Sequence, residues 1–187
     1  MSFKSALATF VGKSSYVVLH DILRRGGTSL PGKLATKIDP EVMTTLAEHY
    51  DVILITGTNG KTLTTTLTTR VLREKYPDVI TNPSGSNMMQ GITGTMLTAK
   101  VTDKSQRPIA LLEVDEANVE AVARQLKPKA FVLTNIFRDQ LDRFGEIYTT
   151  YDKILKGIRL FPEATVIANA DSPIFMRGHL PNPMAYF

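Results

Sequence analysis

A lysine between a glycine-rich turn and a row of threonines is the feature of this sequence that most clearly suggests chemistry. Residues 52–66 are VILITGTNGKTLTTT, so an apolar run leads directly into GTNGKT. When a parallel strand ends in glycines and a helix follows, the N–H groups of the turn converge on one point and favour an anion there. Lys61 can then contact the outer phosphates of a nucleotide, and the hydroxyl of Thr62 can bind Mg²⁺.

The spacing of this segment departs from the common phosphate-binding loop. Ile55 stands where G-x-x-x-x-G-K-[ST] has its first glycine, and the nearest upstream glycine is Gly57. We interpret GTNGKT as a tighter nucleotide-binding loop. The alternative is a glycine turn that serves packing alone.

Metal-assisted phosphate chemistry also needs a carboxylate near the loop, and one candidate ends another apolar run. Glu113 closes IALLE, and ligands of open parallel sheets bind beyond the carboxyl ends of the strands. We therefore predict that Glu113 and Lys61 are catalytic and that Glu113 binds Mg²⁺ with Thr62. Asp115 and Glu116 are expected to form a solvated acidic turn.

The elements that must position these residues alternate along the chain. We expect strands at residues 51–56, 79–81, 108–114, 130–134 and 165–168, and helices at 62–75, 117–126 and 147–159, with a glycine-rich loop entering a helix over 85–97. Before them, we expect one helix or two short ones at 5–25, a connector at 28–40 and a short helix at 41–50. Continuous apolar strands between amphipathic helices predict an α/β fold of the P-loop type, with a mostly parallel sheet covered by helices on both faces. We predict a helical segment over 1–49 and an ATP-binding domain over 50–187.

Composition and charge exclude several classes of function. With 43% hydrophobic and 21% charged residues and no run long enough to span a membrane, the 187 residues suggest a soluble, cytoplasmic chain. The absence of cysteine excludes a cysteine metal site within these residues. A net charge of +4 suits phosphate-rich ligands, nucleic acid or an anionic membrane surface. Nucleic acid is not predicted, because aromatic and basic residues do not alternate on a strand.

Four motifs, in sequence order, resemble the ATP-binding central domain of the Mur ligase family. They are GTNGKT, LLEVDEA, TNIFRDQLDRFGE and IANADSP, within residues 50–175. The resemblance implies an enzyme that joins a carboxylate to an amine through an acyl phosphate, using ATP and Mg²⁺. It also implies that Asn135 and Asp139 lie beside the nucleotide. The residues implied to hold the phosphates are Gly57, Thr58, Asn59, Gly60, Lys61 and Thr62.

Two features differ from the amino-acid-adding members of the family and indicate which branch the sequence resembles. Gln140 stands where those members usually have histidine, and only about 50 residues precede the loop. Together with GSNMMQG at 85–91, these features resemble the Mur-ligase-like subunit of lipid II isoglutaminyl synthase. Gln140 is a candidate ligand for a second Mg²⁺, although an amide is a weaker ligand than the imidazole of histidine. Members of the family often have a carbamoylated lysine near this second ion, but neither Lys153 nor Lys156 has the usual spacing for it.

That branch implies amidation of the D-glutamate α-carboxyl of lipid II to D-isoglutamine. The implied partners are a glutaminase subunit (GatD-like) in a heterodimer and lipid II at the inner face of the plasma membrane. The branch also carries a four-cysteine zinc ribbon and a closing carboxy-terminal domain. We expect the present chain to be an amino-terminal portion without either, and inactive alone.

Other interpretations stay open. The chain can be another Mur-like ligase such as a folylpolyglutamate synthase, although the missing histidine argues against it, or a non-catalytic nucleotide-binding fragment. The amino-terminal segment either packs on the central domain or faces lipid through Lys13, Arg24 and Arg25. The remaining expectations are solvated or capping roles for His20, His49 and His179, and core packing for Met88 and Met89.

Overall fold

The fold is built on one six-stranded parallel sheet. The computed structural model describes residues 2–22, 27–83, 85–103, 105–137, 146–177 and 179–187, with only the backbone of Glu146. The strands are β1 (Asp51–Thr56), β2 (Val79–Ile80), β3 (Ile109–Glu113), β4 (Ala130–Leu133), β5 (Thr165–Ala168) and β6 (Met184–Tyr186). Their order in the sheet is β2-β3-β1-β4-β5-β6, and each neighbouring pair is parallel. The predicted α/β class is confirmed.

Seven α-helices surround the sheet in the described ranges. They are α1 (Phe3–Val17), α2 (Ser29–Ile38), α3 (Val42–Ala47), α4 (Lys61–Arg73), α5 (Met89–Thr98), α6 (Val119–Leu126) and α7 (Glu146–Arg159). A π-helical turn, Val18–Ile22, extends α1, and 3₁₀ turns form at Glu116–Asn118 and Pro173–Met176. Helices α4, α5, α6 and α7 each connect two consecutive parallel strands, as crossover connections require.

The two faces of the sheet are covered unequally. Along β1, Val52 and Leu54 belong to the larger core cluster, which includes buried residues of α3, α5, α6 and α7. Ile55 belongs to a smaller cluster on the other face, where Leu72 of α4 is the helical contribution. Helices therefore lie on both faces as predicted, but the described part of the chain covers one face mainly with α4.

The amino-terminal helices pack against the central domain through small side chains. Ala8 of α1, Ala35 of α2 and Leu97 of α5 form one buried cluster. The hydroxyl of Ser5 donates to the carboxylate of Asp39 at 2.6 Å. Packing of this segment on the domain is therefore confirmed for the side of α1 that carries Ser5 and Ala8, whereas the opposite side of α1 is exposed.

The prediction of a connector at 28–40 is wrong, because α2 occupies most of it. Pro31 is tolerated because it lies in the first turn, where a helix leaves N–H groups unpaired. Gly32 packs against the backbone of α5, and a Cβ there would lie 1.9 Å from the carbonyl oxygen of Gln90. The glycine therefore serves a close helix contact rather than a break.

Two other features differ from expectation. The short edge strand β6 pairs with β5 and was not predicted, since Pro181 and Pro183 come just before it and it is only three residues long. Met88 is 55% exposed, so its predicted core role is wrong, whereas Met89 packs against the larger cluster. Met88 precedes α5 and therefore lies outside the helix face that is buried.

No helix in the described ranges has both the length and the apolar character needed to cross a membrane.

Candidate functional site

The loop after β1 lies against the end of β4. Gly57 has φ 132°, and a Cβ on it would come within 2.3 Å of the Thr134 hydroxyl and 2.6 Å of the Asn135 carbonyl oxygen. Both the positive φ and the close approach require glycine at this position. The loop is thereby held at the carboxyl edge of the sheet, where β1 and β4 meet.

Hydrogen bonds connect the middle of this loop to the segment after β4. The N–H of Thr58 donates to the carbonyl of Asn135 at 2.8 Å, and the N–H of Asn59 donates to the Asn135 side-chain oxygen at 3.0 Å. The side-chain NH₂ of Asn135 donates to the Asn59 carbonyl at 3.1 Å, and the Thr134 hydroxyl donates to the same carbonyl at 2.8 Å. Asn135 therefore braces the loop.

Lys61, the first residue of α4, turns its ammonium group back over the loop. It donates to the carbonyls of Gly57 and Thr58, the latter at 3.2 Å. It also lies 3.6 Å from a carboxylate oxygen of Glu116, and both side chains are mostly buried. The ammonium is thus held over the start of the helix, where the free backbone N–H groups can also bind an anion.

Thr62 and Glu113 meet as predicted. The Thr62 hydroxyl donates to a Glu113 carboxylate oxygen at 3.0 Å, and Glu113 is only 4% exposed. The backbone of Glu113 is fixed by Asn82, which accepts from its N–H at 2.8 Å and donates to its carbonyl at 2.9 Å. A hydroxyl and a carboxylate in one place form an oxygen donor set of the kind that Mg²⁺ prefers.

The acidic turn after β3 is not simply solvated, so that prediction is wrong for Glu116. The Glu116 carboxylate faces Lys61. Asp115 caps the 3₁₀ turn by accepting from the N–H of Ala117 at 3.0 Å. This cap starts the turn that directs Glu116 back toward the loop.

These residues line a cleft of about 400 Å³ at the carboxyl edge of the sheet. Its lining residues are Thr58, Asn59, Gly60, Lys61, Thr62, Leu63, Gly85, Asn87 and Glu113. The cleft combines backbone N–H groups at a helix start, one ammonium group and one buried carboxylate. Such a set can hold the phosphates of a nucleotide and a divalent cation.

Some predicted site residues lie elsewhere. Asp139 and Gln140 fall outside the described residues. Lys153 and Lys156 are exposed on α7, and neither lines the cleft. In the part of the chain that the structure describes, no three His, Asp or Glu side chains group as metal ligands. All three histidines are exposed, and His20 contacts the Asp21 carboxylate at 2.8 Å.

Asn82 and Thr134 are site residues that were not predicted from the sequence. Each comes directly or almost directly after a parallel strand, β2 and β4 respectively. The rule that singled out Glu113, a polar residue at the carboxyl end of a strand, also applies to both. The signal was therefore present in the sequence.

Replacing Glu113 by glutamine is expected to raise the Mg²⁺ concentration needed for nucleotide binding by at least about tenfold, because a charged ligand is lost while the Thr62 contact is kept. Calorimetric titrations of nucleotide at several Mg²⁺ concentrations measure this. Asp115→Asn is the matched control, since Asp115 caps a turn and does not line the cleft. An unchanged Mg²⁺ dependence in Glu113→Gln would show that the carboxylate is misassigned.

Comparison with known proteins identifies one matching family. The model of the Mur ligase middle domain matches residues 55–183. The chain is 51% identical over all 187 residues to the MurT subunit of lipid II isoglutaminyl synthase (glutamine-hydrolyzing) from Streptococcus pneumoniae and covers 41% of that protein. It is 40% identical to MurT from Staphylococcus aureus over an alignment of 157 residues, which covers 81% of this chain and 34% of that protein. The chain therefore spans less than half the length of these curated relatives.

Solved structures of MurF have a similar fold. MurF from Acinetobacter baumannii superposes with a TM-score of 0.66 at 16% identity, over 83% of this chain and 35% of that one. MurF from Thermotoga maritima, in complex with ADP, gives a TM-score of 0.63 at 21% identity, over 81% of this chain and 36% of that one. At these identities the likeness shows the fold alone.

Proposed function

Because this chain belongs to the Mur ligase family, we propose that it provides the nucleotide-binding part of an enzyme that amidates lipid II at the expense of ATP. The acceptor is the α-carboxyl of the D-glutamate in the stem peptide, and the product is D-isoglutamine. The observation that supports this proposal most is the 51% identity over the whole chain to a MurT subunit. Since the acceptor is lipid-linked, the reaction takes place at the inner face of the membrane.

The proposed reaction has two steps. A carboxylate oxygen of the acceptor attacks the γ-phosphorus of ATP, which releases ADP and forms an acyl phosphate. Ammonia then attacks the acyl carbon, loses a proton and displaces phosphate to leave the amide. A carboxylate is a poor acylating agent, so the phosphoryl transfer creates the leaving group that ammonia can displace.

Lys61 and the loop stabilise the charge that develops during phosphoryl transfer. The N–H groups at the start of α4 and the Lys61 ammonium converge on the cleft, where phosphate oxygens would lie. Glu116 keeps the ammonium near this position at 3.6 Å. We propose that Lys61 exchanges its carbonyl contacts for phosphate oxygens when the nucleotide binds.

The residues present fit a Mg²⁺ ion. Thr62 and Glu113 would hold it, since their oxygens already lie 3.0 Å apart and the Glu113 side chain is buried. A bound Mg²⁺ would neutralise negative charge on the phosphates. Asn82 acts indirectly, because its side chain fixes the strand end that carries Glu113.

The nitrogen source is proposed to be a glutaminase partner. The support is the name of the similar MurT proteins, which are subunits of a glutamine-hydrolysing enzyme. The described residues supply groups for phosphates and a metal, and more than half of each curated relative lies outside the match. We propose that residues 1–187 alone bind ATP without completing the amidation.

The proposal is tested with a chimera in which these 187 residues replace the matched part of the pneumococcal MurT. ADP release is expected to depend on both lipid II and ammonium, and glutamine is expected to replace ammonium only when the glutaminase subunit is present. The same chimera with Lys61→Ala is the control for background hydrolysis. ADP release that does not depend on lipid II, or that requires a different acceptor, would contradict the assignment.

A further inference from the structure

The large apolar side chains of α1 face outward. Phe3 is 87% exposed, Phe10 is 69% exposed, and Leu7 and Val17 are each nearly half exposed. The side of α1 that packs on the protein is lined instead by Ser5, Ala8 and Gly12. A helix of a soluble domain normally buries its large apolar residues and exposes its polar ones. This helix does the opposite.

The four exposed residues lie on one side of the helix, the α1 apolar face (Phe3, Leu7, Phe10 and Val17), which also includes the exposed Ser14. At about 100° per residue, they fall within about 80° of the helix circumference. Ile22 of the following π-helical turn is also 69% exposed. Exposed apolar side chains therefore occur from the first turn of α1 to the end of the π-helical turn.

Positive charge borders this face. Lys4 and Lys13 are exposed, and on the helical wheel they lie on opposite sides of this face. Residues 1–38 hold six basic residues against one acidic residue, a formal balance of +5, compared with +4 for the whole chain. The basic residues are Lys4, Lys13, Arg24, Arg25, Lys33 and Lys37, and the acidic one is Asp21. The positive excess of the chain thus resides in its first 38 residues.

From this arrangement we infer that α1 is a membrane-docking helix that lies in the plane of an anionic phospholipid surface. The α1 apolar face enters the boundary between headgroups and acyl chains, and Lys4 and Lys13 contact lipid phosphates. A second copy of the chain fits less well, because its α1 would bring the same lysines toward Lys4 and Lys13. The inference stands on α1 alone and does not require the proposed amidation.

The helix is well supported for such a role. Its start is capped by the Ser2 hydroxyl, which accepts from the N–H of Ser5 at 3.1 Å. Its inner side is fixed by the bond from Ser5 to Asp39 and by the contact of Gly12 with Leu97. The face is therefore presented by a packed element, so little ordering is needed on binding.

The test is co-sedimentation of the 187-residue chain with vesicles that contain neither lipid II nor nucleotide. We expect binding to vesicles of equal parts phosphatidylglycerol and phosphatidylcholine, and much weaker binding to pure phosphatidylcholine. The double variant Phe3→Ser, Phe10→Ser is expected to lower the partition coefficient at least about tenfold, because two exposed rings no longer enter the bilayer. Lys4→Glu with Lys13→Glu is expected to remove the preference for the anionic lipid.

The matched control is Leu67→Ser with Val71→Ser on α4, two residues that are 52% and 71% exposed. It removes a similar exposed apolar pair and is expected to leave vesicle binding unchanged. Equal binding by the α1 variant and the wild type would overturn the inference, as would equal loss in the α4 control. A dimer in light scattering that the α1 variant abolishes would assign the face to a second copy instead. Circular dichroism melting of each variant checks that the fold is kept.

Discussion

Lys61→Ala is expected to lower the affinity of the chain for MgATP by about ten- to a hundredfold, the range for removing a hydrogen bond to a charged group. The variant loses the ammonium that lies over the start of α4 and also the two bonds that it gives to the loop carbonyls. Glu116 would then be left as an unpaired negative charge beside the cleft. Isothermal calorimetry of wild type and variant measures the difference.

The control for this experiment is Lys100→Ala. Lys100 is an exposed lysine in the connection between α5 and β3, at the opposite edge of the sheet from the cleft. The same change of charge there is expected to leave MgATP affinity unaltered. If both alanine variants bind MgATP as the wild type does, the loop after β1 is not the phosphate site.

Among substitutions that add one methyl group to a described helix of this fold, Gly94→Ala is expected to be the most destabilising. A Cβ at Gly94 would lie 1.8 Å from the carbonyl oxygen of Thr28, and one at Gly32 would lie 1.9 Å from that of Gln90. Helices α2 and α5 therefore touch backbone to backbone, and neither can yield without moving the other. We expect the free energy of unfolding to fall by about 3 kcal/mol and the melting temperature to fall by roughly 6–12 °C.

Gly12→Ala separates this effect from the general consequence of adding a methyl group. A Cβ at Gly12 would come within 2.6 Å of a terminal methyl of Leu97, which can rotate away. Its melting temperature is expected to fall much less than that of Gly94→Ala. Equal melting curves for the two variants would mean that the backbones of α2 and α5 are far enough apart to accommodate a methyl group.

The sequence allowed prediction of the sheet and of the Thr62–Glu113 pair because both follow from local rules. Apolar runs predict buried parallel strands, and strand ends predict where ligands bind. Asn82 could have been found by the same rule. The contact of Glu116 with Lys61 could not, because it depends on the 3₁₀ turn that Asp115 caps.

Helix α2 shows why other parts could not be predicted. Pro31 and Gly32 disfavour a helix in isolation, and only the backbone of α5, about 60 residues later in the chain, gives Gly32 its packing role. The outward face of α1 is a similar case. Its apolar spacing predicts a helix, but which side of that helix is buried depends on α2 and α5.

The central claim, that this chain supplies the ATP site for amidation of lipid II, is tested most directly by mass spectrometry of the acceptor. The chimera with pneumococcal MurT would be incubated with lipid II, MgATP and isotope-labelled ammonium. We predict that the label appears as an amide on the α-carboxyl of D-glutamate and that Lys61→Ala in the same chimera abolishes it. Unlabelled lipid II with the folded chimera, or equal labelling with Lys61→Ala, would contradict the account.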